Sequence, residues 1–263
     1  MDRFLQAARL LWDCAQSGRF IDDLPEQIRP STRAEGYQVQ AHWPKVSGER
    51  VVGWKIAATS EAGRRHIGVN GPLAGRILQS RVHSSGSEIS SLGNGMRVAE
   101  PEFGFAMATD LAPRESAYSV DEVLEAVDHV FPSIEVPSSR FADFVRAGEA
   151  QLLADDACAG RFVFGEPCRD GWRTSDLRHH EVRGTVLRNG APAVERAGTG
   201  EAVLGDPRTA LMWLVNELSR LGLTLHAGQV VSTGTCMVPM PIAPGDVVAA
   251  DYGVLGRIEL TFA

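Results

Sequence analysis

Between Met96 and Met107 the chain reads Met-Arg-Val-Ala-Glu-Pro-Glu-Phe-Gly-Phe-Ala-Met, an apolar run that carries two glutamates one residue apart, Glu100 and Glu102. Alternate side chains of an extended chain share a face, so both carboxylates point the same way, two rises of about 3.3 Å apart. Val98 lies on their own face, and Phe103 and Phe105 on the other. Like charges this close in apolar surroundings are costly without a counter-charge. A solvated acidic pair on an exposed strand has the same spacing, but it would not alternate with Val and Phe. Pro101 fits an edge or bulged strand, where a site can open. A bound divalent cation is the simplest way to balance such a pair.

A third carboxylate has a similar setting. Phe131-Pro132-Ser133-Ile134-Glu135-Val136-Pro137 is a second apolar strand with Glu135 as its one acid. Three carboxylates form a hard-ligand set suited to Mg²⁺ or Mn²⁺, with positions left for waters and a substrate. The one nearby histidine is His129, at the end of the preceding helix, which disfavours a zinc site of soft ligands. Lys55 is the other misplaced charge. It sits in the buried-looking strand 51–58 among Val52, Trp54 and Ile56, where a lysine either snorkels or is held by an acid. Beside a cation and a small anionic substrate, desolvation would lower its pKa and suit it to proton transfer.

The remaining pattern is helical at the start and rich in strands afterwards. An amphipathic stripe predicts a helix over 2–17 with Gly18 as its stop, and a second helix runs from about Ser31 to Trp43, broken by Pro44 and Gly48. Thr59 or Ser60 caps a short helix ending near Gly68, the Gly- and Ser-rich stretch 84–95 reads as a loop, and Ser119 to Glu122 has capping-box spacing. The polar, mixed segment 138–160 reads as a mobile active-site segment. Residues 181–190 predict a strand ending in an Asn189-Gly190 hairpin, and Asp206-Pro207 opens a helix that closes at Gly222. Short strands follow at 228–232, 246–251 and 257–262. The division expected is a helical region, 1–50, packed on a β-rich catalytic body, 51–263, in an α+β fold.

Other candidates are weaker. Ser232-Thr233-Gly234-Thr235-Cys236 at a strand end either presents backbone N–H groups to a carboxylate or is a plain turn. His179 and His180 read as solvated. Gly93-x-Gly95 precedes a strand and lacks the context of a phosphate loop, and no serine has nucleophile-elbow context. The formal net charge of −7 offers no footprint for nucleic acid or anionic membrane. No apolar run approaches the length of a spanning helix, and the N-terminus lacks signal-peptide character. Cys14, Cys158, Cys168 and Cys236 have no paired spacing and read as reduced, buried thiols of a cytoplasmic protein.

Taken in order, Gly53-Trp54-Lys55-Ile56, Glu100-Pro101-Glu102, Pro132-Ser133-Ile134-Glu135-Val136 with Ser139-Arg140, Ala154-Asp155-Asp156-Ala157, Thr233-Gly234-Thr235, Pro244-Gly245-Asp246 and Asp251-Tyr252-Gly253 form a recognisable set. The chain resembles the 2-keto-4-pentenoate hydratase and 4-oxalocrotonate decarboxylase branch of the fumarylacetoacetate hydrolase superfamily over nearly its whole length. The resemblance implies a mixed β-sandwich roll with flanking helices. It implies Mg²⁺ or Mn²⁺ held by Glu100, Glu102 and Glu135, with Lys55 as the acid/base group. Arg140, Asp156, Thr233, Gly234 and Thr235 are the implied substrate-binding positions, Asp156 standing where the family often has Asn. Glutamate as third ligand is similar to the hydratases and decarboxylases more than to the carbon–carbon hydrolases. Cys236 and Met237 replace variable pocket residues. The implied reaction is hydration of a small 2-hydroxy-2,4-dienoate in aromatic or related ring catabolism. Decarboxylation of a 4-oxalocrotonate-type acid, acylpyruvate-type hydrolysis and a non-catalytic partner role are the alternatives. A homo-oligomer, able to associate with a paralogous pathway enzyme, is also implied.

Overall fold

The structure is a computed structural model and describes residues 2–263. Three helices come first, α1 (Arg3–Ser17), α2 (Arg33–Gln40) and α3 (Trp43–Ser47). Asp2 caps α1 by accepting the Phe4 N–H, and Thr32 caps α2 by accepting that of Glu35. Pro44 does not break a helix, as its type suggested. It sits in the first turn of α3, where no N–H is needed, so the chain re-enters a helix after a short break. Buried Gln40 and Trp43 then tie these helices down. Gln40 Nε2 donates to the Ala74 carbonyl at 2.7 Å, and Trp43 Nε1 to that of Ala154 at 2.9 Å.

The body follows as β1 (Val51–Ala57), α4 (Glu61–Ile67), β2 (Leu73–Leu78), β3 (Val82–Ser84), β4 (Glu88–Ile89), β5 (Val98–Met107), α5 (Val120–Glu125), β6 (Val127–Val136) and α6 (Glu149–Ala154). It ends with β7 (Arg161–Phe164), β8 (Glu181–Arg188), β9 (Ala191–Thr199), α7 (Pro207–Arg220), β10 (Val230–Thr235), β11 (Met240–Pro241), β12 (Val247–Asp251) and β13 (Arg257–Phe262). The expected caps are present: Ser60 on α4, a full capping box at Ser119 and Glu122, and Asp206 on α7. Asn189 and Gly190 turn β8 into β9 with φ of +53° and +78°, the conformation that a two-residue hairpin turn favours.

One sheet has the order β2-β1-β10-β5-β6-β7-β3, with β11 also pairing on β5. Its two end strands, β2 and β3, are joined only by residues 79–81, so the sheet must curl until its edges approach. A second sheet, β4-β13-β12-β8-β9, completes the mixed α+β architecture. Strand β4 lies inside the stretch read as a loop; its two residues pair with the end of β13, a partner too distant in sequence to announce it. Segment 138–160 also departs from expectation. Leu152, Leu153 and Ala154 of α6 are fully buried, and the polar residues that suggested mobility, Ser139, Arg140, Asp155 and Asp156, are buried as well. No helix among the described residues is long and apolar enough to cross a membrane.

Candidate metal and catalytic centre

Strand register assembles the centre. β5 and β6 run antiparallel with Glu100 directly opposite Glu135 and Glu102 opposite Ser133. On the other side of β5, β10 sets Thr235 against Glu102, and β1 pairs parallel with β10 so that Lys55 lies beside Ser232. Like charges directly opposite destabilise a ladder. One oxygen from each of Glu100, Glu102 and Glu135 lies within 4.8 Å of the others, with Glu102 and Glu135 fully buried and Glu100 partly so. Between β1 and β6 stand two strands, a span of roughly three 4.8 Å spacings in a flat sheet. Curling closes it. Lys55 Nζ sits 3.1 Å from Glu135 Oε1 and donates to the Ala157 carbonyl at 2.9 Å.

Glu102 is fixed by β10. Ser232 Oγ and the Gly234 N–H donate to its Oε2 at 2.6 and 2.9 Å. The ladder shifts register between Ser232 and Thr235, and Gly234 takes φ +96° there, turning its N–H onto the carboxylate. A Cβ at Gly234 would stand 2.5 Å from Thr59 Oγ1, so the position accepts no side chain without rearrangement. Residues 232–234 thus present donors to a carboxylate, but to one belonging to the protein. Tyr252 braces the same point, its hydroxyl 2.8 Å from the Glu102 carbonyl. Neither Ser232 nor Tyr252 is among the site residues that the sequence predicts. Ser232 stood in the strand-end motif and Tyr252 in the terminal Asp-Tyr-Gly, and neither announces what it supports.

Three buried carboxylate oxygens, Glu102 Oε1 and both of Glu135, accept no hydrogen bond. Lys55 faces Glu135 Oε1 only as an ion pair. Buried carboxylate oxygens without donors are costly, and hard oxygens that converge in this way fit a divalent cation. The electrostatics agree. Burial, then Glu102, pushes Glu100 up to about 7 against the pull of Lys55. Burial raises Glu102 despite Lys55, Ser232 and Gly234, and raises Glu135 well above the usual range despite Lys55. Lys55 departs from expectation: burial pulls it down, but Glu135, Glu100 and Glu102 outweigh that and hold it above the ordinary lysine value. Three acids at close range outweigh desolvation here.

The centre opens into a cavity of about 780 Å³. Lys55, Glu100, Gly234 and Thr235 line it; Arg140, Asp156 and Thr233 do not. Arg140 is buried, paired with Asp155, bonded to the Ala159 carbonyl and stacked near Trp43. Asp156 Oδ1 accepts the Arg76 N–H at 2.7 Å, and Thr233 Oγ1 donates to the Phe103 carbonyl at 2.9 Å. Asp156, Ala157 and Cys158 all have φ between +51° and +59°, a left-handed run that L-residues adopt only when held. The Arg76 and Lys55 hydrogen bonds hold it. Much of the remaining wall is apolar, including Ile67, Val98, Phe144 and Met237, and His66 is its one other basic side chain.

No protein-family model matches the chain. Over 261 residues it is 31% identical to a 2-keto-4-pentenoate hydratase of Paraburkholderia xenovorans (strain LB400), covering 98% of this chain and 94% of that one. It is 28% identical over 253 residues to a 4-oxalocrotonate decarboxylase of Pseudomonas putida, covering 93% and 89%. Among solved structures it superposes on 4-oxalocrotonate decarboxylase from Pseudomonas putida G7, complexed with magnesium and adipate, with a TM-score of 0.86 and 25% identity over 100% of this chain and 99% of that one. Curled sheets around a buried acidic triad and a lysine define an enzyme on the fumarylacetoacetate hydrolase fold. The chain belongs to the 2-keto-4-pentenoate hydratase and 4-oxalocrotonate decarboxylase family, and it is a hydratase-like enzyme.

Proposed function

We propose that this chain is a divalent-metal-dependent hydratase that adds water to a small 2-hydroxy-2,4-dienoate to give a 4-hydroxy-2-oxo acid. The observation that carries this reading is the convergence of three carboxylates and Lys55 at one end of a cavity whose far wall has no guanidinium. Glu100, Glu102 and Glu135 would hold Mg²⁺ or Mn²⁺. When bound, the cation supplies Lewis-acid stabilisation of the negative charge that develops as the dienol ketonises.

The chain's own groups divide the remaining work. Ser232 and Gly234 hold one oxygen of Glu102 and leave the other free for ligation. Lys55 has three N–H groups; one goes to Ala157 and one faces Glu135, which leaves the third for the substrate or an intervening water. From that position the ammonium delivers a proton to C5 and the resulting amine takes the proton of the 2-hydroxyl; water then adds across C3 and C4, its hydroxyl to C4 and its proton to C3. Ile67, Val98, Phe144 and Met237 receive the hydrocarbon end.

Decarboxylation of a 4-oxalocrotonate-type acid would use the same enolate chemistry, but its second carboxylate needs a cationic anchor. Arg140, the residue expected to supply one, is engaged by Asp155 outside the cavity. This favours the hydratase. The test is a spectrophotometric assay of enzymatically generated 2-hydroxypenta-2,4-dienoate and 4-oxalocrotonate with Mg²⁺, Mn²⁺ or chelator. Metal-dependent loss of dienol absorbance without CO₂ is expected. Preferential CO₂ release from 4-oxalocrotonate, or inactivity towards both acids, overturns the reading.

A further inference from the structure

On the other side of the Ala157–Gly160 wall lies a smaller hollow of about 70 Å³. Four arginines line it, Arg19, Arg81, Arg140 and Arg161, together with Asn94 and Ser138, and the lining includes no aspartate or glutamate. That is an unusual concentration of cations on a chain with a formal net charge of −7. Arg140 has its counter-ion in Asp155. Arg81 has none. It is 7% exposed, gives Nη1 to the carbonyls of Ala159 and Gly160 at 3.1 and 3.2 Å, and forms no ion pair among the described residues. Its Nε and Nη2 make no hydrogen bond to the described residues, and the guanidinium carbon lies 5.8 and 5.7 Å from the ring centroids of Trp12 and Trp43, which answer only part of its charge. Among the described residues Arg161 stands exposed at the rim with no ion pair, and the side chain of Arg19, also exposed, gives Nη2 to the Cys14 sulfur.

A buried guanidinium without a carboxylate is costly, and its planar fork of donors matches an oxyanion. We propose that this hollow binds a small multivalent oxyanion of the phosphate or sulfate class, with Arg81 at its floor and Arg19 and Arg161 closing over it. Two further observations support the assignment. Burial first, then Arg140, pulls the Arg81 guanidinium down to about 10 against Asp156, a strain that a bound anion would relieve. The site is also built back to back with the catalytic cavity. Ala157 and Cys158 face the cavity, Gly160 faces the hollow, and the intervening Ala159 carbonyl takes bonds from both Arg81 and Arg140.

The experiment is calorimetric titration of the full chain, with Mg²⁺ present, by sodium sulfate and by inorganic phosphate against chloride at constant ionic strength. One saturable site per chain with Kd below about 10 mM is expected for sulfate or phosphate and not for chloride. Arg19→Ala and Arg161→Ala should each weaken it about tenfold, since each removes charged hydrogen-bond donors. These two are exposed, so the test does not depend on an Arg81 variant folding. Glu100→Gln should leave anion affinity unchanged, which separates this site from anion binding at the metal centre. Binding no tighter than chloride, equal affinity in both rim variants, or loss in Glu100→Gln overturns the proposal. So does a change of subunit association in Arg161→Glu when sulfate binds neither protein.

Discussion

Lys55 Nζ stands 3.1 Å from Glu135 Oε1, an ammonium and a carboxylate from strands with two others between them. The pair is buried, and each member answers part of the other's charge, so removing either has two effects. Lys55→Ala should lower turnover by about 10²- to 10⁴-fold, the range for a lost general acid–base group. It should also destabilise the metal-free protein by about 3–5 kcal/mol by stranding Glu135, with Mg²⁺ restoring much of the loss. Glu102→Gln should do the reverse, weakening Mg²⁺ by at least about tenfold while leaving Lys55 in place. Calorimetry with Mg²⁺ and steady-state kinetics separate the two. Wild-type behaviour in both variants would remove the assigned roles.

The strand-borne charges were the legible part of this site. A carboxylate or ammonium inside an apolar strand conflicts with its surroundings, and that conflict is visible in one dimension for Lys55, Glu100, Glu102 and Glu135. Their meeting depends on sheet order and curl, which arise from pairings such as β1 with β10 that lie far apart in sequence. Helix caps were legible because Ser60, Ser119 and Asp206 act within a few residues. Segment 138–160 was not, because its polar residues satisfy one another and distant backbone inside the fold, as Asp155 does with Arg140 and Asp156 with Arg76. Ser232 was invisible for a related reason: a serine in a strand shows its use only beside its acceptor.

Proton uptake gives a second prediction. Glu100 rises from 4.5 to about 7 and Asp156 from 3.8 to about 6 on folding, burial being the first cause of each. A carboxyl whose folded pKa is raised contributes stability that is complete below its unfolded pKa and is lost as pH rises through the folded value. The metal-free protein should therefore lose stability between about pH 4 and pH 7. A cation on Glu100, Glu102 and Glu135 displaces whatever protons these raised carboxyls hold, so Mg²⁺ binding near pH 6 should release at least about one proton, and fewer as pH rises. Titrations in buffers of different ionisation enthalpy measure this directly. Buffer-independent heats at pH 6 would mean that Glu100 is already ionised.

Gly75 faces Lys55 across the β1–β2 ladder. A Cβ there would lie 2.5 Å from the Asp156 carbonyl oxygen and 2.9 Å from Lys55 Cδ, so the left-handed wall and the lysine stem must both shift. Gly75→Ala should then lower kcat by about 10²-fold through a displacement on the order of 1 Å, while Mg²⁺ affinity stays near wild type. Overpacking adds about 1–3 kcal/mol of destabilisation. An unchanged kcat in the folded variant would show that the ammonium tolerates movement and that its position is not critical.

Substrate choice gives the last prediction. Ile67, at the end of α4, and Phe144 are among the apolar residues of the cavity wall, which receives the hydrocarbon end of the proposed dienoate. A neutral tail buries its surface there, worth about 0.8 kcal/mol for each added CH₂. A methyl-extended 2-hydroxyhexa-2,4-dienoate should therefore bind at least as well as the five-carbon acid. A tail carboxylate meets no guanidinium in that wall, so 4-oxalocrotonate should bind poorly. Ile67→Arg would place a cation in the wall, raising KM for apolar-tailed acids and lowering it for 4-oxalocrotonate by about tenfold, the worth of one charge-assisted bond. Steady-state KM values for the three acids with both proteins decide it. If wild type already prefers the diacid, the tail is read elsewhere and the cavity wall does not set specificity.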